Sequence, residues 1–263
     1  MNLKIFGERN TGTTALELNL KNNFPNHVLN GDLGIGNFSK LNFKYFKIKL
    51  KRKILRISKA SRAKIEDNYD EFFKSTPIDY QWKHCATNFN NDQIKEISKK
   101  KIHFIFTIRD PLSWVKSLNQ KKYHLLNKND SSLEDFMHSE IEVWERENLT
   151  QKKLKPLKLY EEKLKSYRKF IIQLEAFNLT YTVLKFEDLI LNHKGCYNQI
   201  ASDIGALGVV VNELVQSTDN NNKDLNFYKN YYGNQTWKQD IPKTILENFQ
   251  FDRNLLQWMG YNY

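Results

Sequence analysis

Hydrophobic positions in this chain gather in short runs between long polar stretches, and two of the runs stand out. Residues 102–108, Ile-His-Phe-Ile-Phe-Thr-Ile, are apolar at nearly every position, the pattern of a strand covered on both faces in a parallel sheet. Near the start, Leu3-Lys4-Ile5-Phe6 breaks at Gly7 into a short loop with Gly12, and Thr13-Thr14-Ala15-Leu16 opens a helix-compatible segment. Residues 3–16 therefore predict strand, turn and helix. Further on, residues 80–85 read as a short buried strand, 91–101 as a helix, and 112–120 as a helix entered through Pro111. Ser131 or Ser132 caps another helix start. Ile141, Trp144 and Leu149, with residues 157–177, predict one or two amphipathic helices packed on the sheet, with Trp144 and Tyr160 as core aromatics rather than cleft residues. Glu140, Glu142, Glu145 and Glu147 read as a solvated face, and the polar run 219–223 as an exposed loop.

The first strand-turn-helix carries candidate chemistry. Backbone N–H groups of such a loop and of the first helical turn converge on one spot, with the positive end of the helix dipole behind them, so an anion is expected there. The spacing Gly7-x-x-x-x-Gly12-x-Thr14 matches the phosphate-binding P-loop, except that Thr13 stands where a lysine normally reaches the outer phosphates. A plain turn with a threonine cap would look the same. The strand 102–108 ends at Arg109-Asp110-Pro111, which puts Arg109 where open α/β sheets bind ligands. Ser117 follows eight residues later.

Composition changes this picture in one place. Residues 37–64 hold eleven Lys and Arg and no Asp or Glu; the 41 basic residues less these eleven leave 30, equal to the 30 acidic ones. The excess charge therefore belongs to a basic insertion of about residues 37–64, either a solvated elaboration or a patch for an acidic polymer, anionic lipid or nucleic acid. At 263 residues the chain fits one domain, 1–263, with that insertion. Cys85 and Cys196 have neither a disulfide framework nor metal-site spacing. With no leader-like or bilayer-length apolar segment, a cytoplasmic location is expected.

Two motifs together carry a resemblance. Gly7-Glu8-Arg9-Asn10-Thr11-Gly12-Thr13-Thr14 resembles the 5′-phosphosulfate loop of the sulfotransferases that use 3′-phosphoadenosine 5′-phosphosulfate (PAPS). Arg109-Asp110-Pro111 with Ser117 is similar to their 3′-phosphate motif. Residues 181–189, reading YTVLKFEDL, with the helix-like 196–207, resemble the strand, "YEDL" and helix that follow in these enzymes, and residues 249–261 resemble the terminal "L…LGY" helix of bacterial members that act on carbohydrates and surface polysaccharides. One position departs: Asn10 stands where many members have a lysine, and Arg9, one residue earlier, is the alternative cation.

The resemblance implies an α/β, P-loop-like three-layer fold with a mainly parallel sheet of four or five strands covered by helices. It implies a PAPS site of Arg9, Asn10, Thr11, Gly12, Thr13, Thr14, Arg109 and Ser117, with Lys229 in a closing basic loop, and no metal. His84, Lys83 and Arg9 are the implied catalytic group: His84 as base toward a hydroxyl, the cations stabilising the leaving phosphate. Whether His84 or the adjacent Lys83 faces the site stays open, and Glu8 or a middle-helix carboxylate is the next base to consider. The expected activity is sulfuryl transfer from PAPS to a carbohydrate hydroxyl of a surface polysaccharide or glycolipid, with an acidic polymer as partner or peripheral membrane contact through residues 40–64. The alternatives are a divergent P-loop kinase or NTPase, disfavoured by Thr13, and a basic nucleic-acid-binding protein, disfavoured by the lack of any recognisable motif.

Overall fold

The computed structural model describes residues 2–25, 27–30, 50, 59–74, 76–121, 132–206 and 224–263. In chain order its elements begin with β1 (Asn2–Gly7), α1 (Thr13–Asn23), β2 (Val28–Asn30), α2 (Lys59–Lys74), α3 (Asn91–Ser98) and β3 (Ile102–Ile108). There follow α4 (Pro111–Gln120), α5 (Leu133–His138), the short strands β4 (Ile141–Glu142) and β5 (Lys153–Leu154), and α6 (Pro156–Ala176). Then come β6 (Tyr181–Lys185), α7 (Phe186–Leu191), α8 (His193–Asp203), α9 (Leu225–Gly233), α10 (Lys243–Glu247) and α11 (Arg253–Met259).

β1, β2, β3 and β6 form one sheet in the order β2-β1-β3-β6, with every neighbouring pair parallel. The strand period of two then divides the core. Leu3, Ile5 and Ile105 face one side, where they pack with Leu16 and Leu20 of α1 and Tyr197 and Ile200 of α8. Phe6, Phe104 and Phe106 face the other, against Tyr167, Phe170 and Leu174 of α6. Helices on both faces of a parallel sheet make the three layers expected from the sequence, with four strands.

The topology places the site. From β1 the chain crosses to β2 on one side, and from β3 to β6 on the other, so adjacent strands β1 and β3 lead apart at their carboxyl ends. Such a switch point opens a crevice in α/β sheets. The loop 8–12 and Arg109 sit there.

Several expectations need correction. Residues 80–85 are not a strand: Ile78–Tyr80 is a 3-10 helix and an irregular segment follows, tied past the end of β1 by the Gly7 N–H to the Lys83 carbonyl at 2.9 Å. Residues 141–149 hold β4 and a 3-10 turn at Glu145–Glu147 rather than a helix; the amphipathic helix is α6 alone. Glu147 is not solvated but fully buried. Ser132 caps α5, accepting from the Asp135 N–H. The polar run 219–223 and most of the basic insertion lie outside the described residues, apart from the start of α2. No helix among the described residues is long and apolar enough to cross a membrane.

Candidate functional site

Gly7 ends β1 because nothing larger fits: a Cβ there would lie 1.9 Å from the Thr107 hydroxyl of β3. Beyond it the loop is held from below. Thr11 is buried, its N–H and hydroxyl both donating to the Glu8 carbonyl. Since that hydroxyl has a single proton, Thr107 is the donor in the 2.7 Å contact between their oxygens. Thr11 is thus a brace within the loop and not, as expected, a ligand-facing residue; its N–H is already used. Asn10 and Gly12 are both left-handed, at φ 63° and 82°. A side chain at Gly12 would also meet Phe186, 2.8 Å from an added Cβ. Gly12 starts α1 without any side-chain cap, so the first-turn N–H groups of Thr13, Thr14 and Ala15 are left for another acceptor.

A cavity of about 270 Å³ opens over this helix start. Its walls include Arg9, Asn10, Gly12, Thr13 and Thr14 from the loop, His84 from the irregular segment, and Arg109, Ser117 and Lys121 from β3 and α4. Helices α7 to α9 close it with Phe186, His193, Tyr228 and Tyr232 among others. Among the described residues no Asp or Glu lines it. An uncapped helix N-terminus, cationic side chains and no carboxylate define a site for an anion.

Arg109 is fixed from three sides: Nε donates to the Ser113 hydroxyl at 2.9 Å, and the terminal nitrogens to the Asn10 carbonyl and the Tyr232 hydroxyl, each at 2.6 Å. Its guanidinium also lies 4.3 Å from the Phe186 ring. Ser117, the expected partner, lines the cavity one turn beyond Ser113, and Lys121 one turn further. The sequence reading missed Ser113, Lys121 and Tyr232; the spacing of four along α4 would have suggested the first two.

Of the adjacent pair, His84 faces the cavity. Lys83 forms an ion pair with Glu17 of α1 at 2.6 Å and does not line the wall, so the catalytic place expected for it goes unsupported. His84 Nδ1 lies 2.6 Å from the Gly7 carbonyl. Facing an acceptor, Nδ1 carries the proton and Nε2 holds the lone pair. Burial, and then the positive charges of Lys83 and Arg9, hold the imidazole well below its ordinary pKa, so it is neutral at pH 7.

Arg9 lines the cavity but is balanced from beneath. Its guanidinium binds Glu8 at 2.9 Å and Glu147 at 2.7 Å. Lys163 of α6, fully buried, joins both carboxylates and donates to the His84 carbonyl at 2.7 Å. Burial alone would raise the Glu147 carboxyl; Arg9 and Lys163 instead keep it ionised, well below its ordinary range. Glu8 and Glu147, each locked between cations, are therefore poor candidates for a base. Nothing local in the chain marks Glu147 as buried; Lys163 could have been noticed, since it stands on the apolar stripe of α6 between Tyr160 and Tyr167.

Lys229 lies on α9 rather than in a basic loop, and α9 turns Tyr228 and Tyr232, not Lys229, to the cavity. The "YEDL" and terminal motifs join structurally: Tyr261 donates to Glu187, and Tyr263 to Asp110. Among the described residues no group of three or more His, Cys, Asp or Glu is placed to hold a metal ion.

No family model matches the chain, and no curated protein matches it. Among solved structures, the sulfotransferase domain of the Synechococcus PCC 7002 olefin synthase is similar over 100% of this chain and 95% of its own, with 11% identity and a TM-score of 0.47. The sulfotransferase domain from the curacin biosynthetic pathway is similar over 99% of this chain and 97% of its own, with 14% identity and a TM-score of 0.46.

Proposed function

We propose that this chain transfers a sulfuryl group from PAPS to a hydroxyl. The observation that carries the reading is a cavity with no carboxylate among its described lining residues, in which the bare start of α1 and the Arg109–Ser117–Lys121 wall follow the two strands of the switch point and His84 lines the same cavity. Two sets of anion-binding groups, one following β1 and one following β3, fit a nucleotide phosphorylated at both 5′ and 3′ positions. Thr13, Thr14 and Ala15 would hold the 5′-phosphosulfate through backbone N–H groups, and Arg109, Ser117 and Lys121 the 3′-phosphate.

His84 Nε2 would accept the proton of the attacking hydroxyl as the new O–S bond forms and the bond from sulfur to the 5′-phosphate oxygen breaks. The electron pair of the broken bond stays on the 5′-phosphate oxygen, where the α1 N–H groups would stabilise it, standing in place before the reaction. Arg9, neutralised by Glu8 and Glu147, shapes the loop more than it supplies net charge.

The acceptor we propose is a carbohydrate hydroxyl, in a surface polysaccharide or glycolipid. Its support is the charge of residues 37–64, suited to an acidic polymer or to peripheral contact with the inner membrane face. Thermal-shift titration tests the nucleotide reading. Stabilisation by 3′-phosphoadenosine 5′-phosphate well beyond that by AMP is the expected result; stabilisation by ATP with Mg²⁺ but not by the bisphosphate would replace it with a kinase or NTPase.

A further inference from the structure

A guanidinium carries five N–H donors. Three of those on Arg109 go to Ser113, Asn10 and Tyr232, which leaves two without an acceptor among the described residues. Two carboxyls feel the charge of that arginine. Asp110 is the next residue in the chain, and its N–H donates to Glu187 Oε1 at 3.3 Å. Glu187 follows Phe186, whose ring lies 4.3 Å from the Arg109 guanidinium. A carboxylate buried beside a cation ordinarily pairs with it. Neither of these does.

What occupies them instead is the segment after α11. Gly260, left-handed at φ 70°, ends that helix, and the Tyr261 N–H closes back on the Leu256 carbonyl at 2.9 Å. A side chain at Gly260 would meet Lys185 Nζ, 2.6 Å from an added Cβ, and that ammonium donates to the Gly260 carbonyl at 2.9 Å. The turn so held delivers two phenols. Tyr261 Oη donates to Glu187 Oε2 at 2.5 Å, and Tyr263 Oη donates to Asp110 Oδ2. Backbone takes the other two oxygens: Glu187 Oε1 accepts from the Asp110 N–H, and Asp110 Oδ1 from the Ser113 N–H. Every oxygen of the two carboxyls thus has a donor, and none of these donors is charged.

We infer that Tyr261 and Tyr263 are positioning residues for Arg109: their hydroxyls hold the Glu187 and Asp110 carboxylates and so keep the guanidinium open to a phosphate. The inference rests on the 3′-phosphate reading above and deepens it by naming residues that set its affinity. A carboxylate oxygen that loses its donor in the interior is destabilising, and the two spare N–H groups of Arg109 offer the compensation. An ion pair formed there takes the donors that the ligand would use. Arg109 would then resemble Arg9, which already pairs with Glu8 and Glu147. Tyr261 gives the cleaner test, because Lys238 as well as Arg109 acts on Asp110.

Calorimetric titration of 3′-phosphoadenosine 5′-phosphate and of AMP into the wild type, Tyr261→Phe, Glu187→Gln and the double variant decides. Tyr261→Phe should weaken the bisphosphate about tenfold, on the order of one charge-assisted hydrogen bond, and AMP by less than about twofold, since AMP has no 3′-phosphate. Glu187→Gln should restore about tenfold in the Tyr261→Phe background and change the wild type by less than about twofold, because the amide keeps an acceptor for the Asp110 N–H without the charge. An unchanged Tyr261→Phe, equal losses for the two ligands, or an equal gain from Glu187→Gln in both backgrounds overturns the inference. In each of those cases a wild type that prefers the bisphosphate leaves the nucleotide reading standing. A wild type that binds AMP as tightly as the bisphosphate, or binds neither, overturns both. Should Tyr261→Phe not fold, Tyr263→Phe with and without Asp110→Asn is read in the same way, since asparagine keeps the cap on α4.

Discussion

Arg9 and Arg109 follow neighbouring strands of one sheet and line the same cavity, yet their surroundings differ in kind. Arg9 is held by two carboxylates, and with Lys163 it completes a buried cluster of two cations and two anions. Among the described residues Arg109 donates to neutral oxygens, those of Ser113, Asn10 and Tyr232, while the Glu187 and Asp110 carboxyls lie near enough to feel its charge without pairing with it. The first arginine has its charge cancelled by direct ion pairs; the second is gripped in place by neutral groups on the cavity wall. A cation next to a candidate site is thus not yet a ligand for an anion, and the chemistry of its partners decides.

Four experiments strain this contrast, beginning with the cluster. Lys163→Ala leaves Glu8 and Glu147 to share Arg9 in the interior, and breaking such a buried pair costs about 3–5 kcal/mol. Urea unfolding should show that loss; a change below about 1 kcal/mol would mean that the cluster does not anchor the loop. Next, His84→Ala should lower kcat by about 100-fold or more with bisphosphate affinity unchanged, since general-base catalysis contributes on that order. Undiminished turnover would send the search for a base elsewhere.

The arginines themselves come third. Arg109→Ala should weaken binding of 3′-phosphoadenosine 5′-phosphate by roughly 10- to 100-fold, the worth of a charge-assisted hydrogen bond of about 1.5–3 kcal/mol, and lower Tm less than Arg9→Ala does, since no carboxylate paired with it is left unpaired. Arg9→Ala should do the reverse, lowering Tm more than affinity. If the two variants behaved alike, the contrast drawn from their partners would be wrong.

The smallest effect is the dependence on pH. His84 is held below the ordinary 6.5 of an imidazole, so kcat/KM should stay flat from pH 8 down to 6.5 and fall only below that. An acid limb at 6.5 or above would point to another group. The same shift enters stability with a definite sign. Below pH 6.5 the unfolded chain binds a proton that the folded chain does not, so the contribution is intact above 6.5 and is lost as pH falls toward the folded value. His103, pushed down to about 4 mainly by burial, adds to the same loss between 6.5 and 4.

Much of the frame could be read from the chain. The all-apolar run of β3 announced a covered parallel strand, and Gly7 to Thr14 announced a strand-loop-helix, because both signals are local: they follow from side-chain period and from backbone conformations that only a few residues adopt. Residues 80–85 misled for a complementary reason. Their apolar and aromatic character reflects packing past the end of a strand, with Trp82 edge-on to His84 at 5.1 Å, and such packing has no period to detect.

Glu147 shows where local reading stops. In sequence it alternates with three other glutamates and looks like part of a solvated edge; in space the Glu145–Glu147 turn carries it beneath the loop, 138 residues away along the chain, to meet Arg9 and Lys163. His193 behaves likewise, since only the pairing of α8 with α1 makes a cavity wall of it.

The sequence by itself determined the parallel frame, the loop that leads into α1 and the position of Arg109 at a strand end, since each depends on the spacing of neighbours along the chain. Only the tertiary structure decided that His84 rather than Lys83 faces the cavity, that Thr11 is a brace, and that Arg9 is neutralised. Those outcomes depend on which distant side chains share a low-dielectric interior, where a charge must find a partner or become costly to bury.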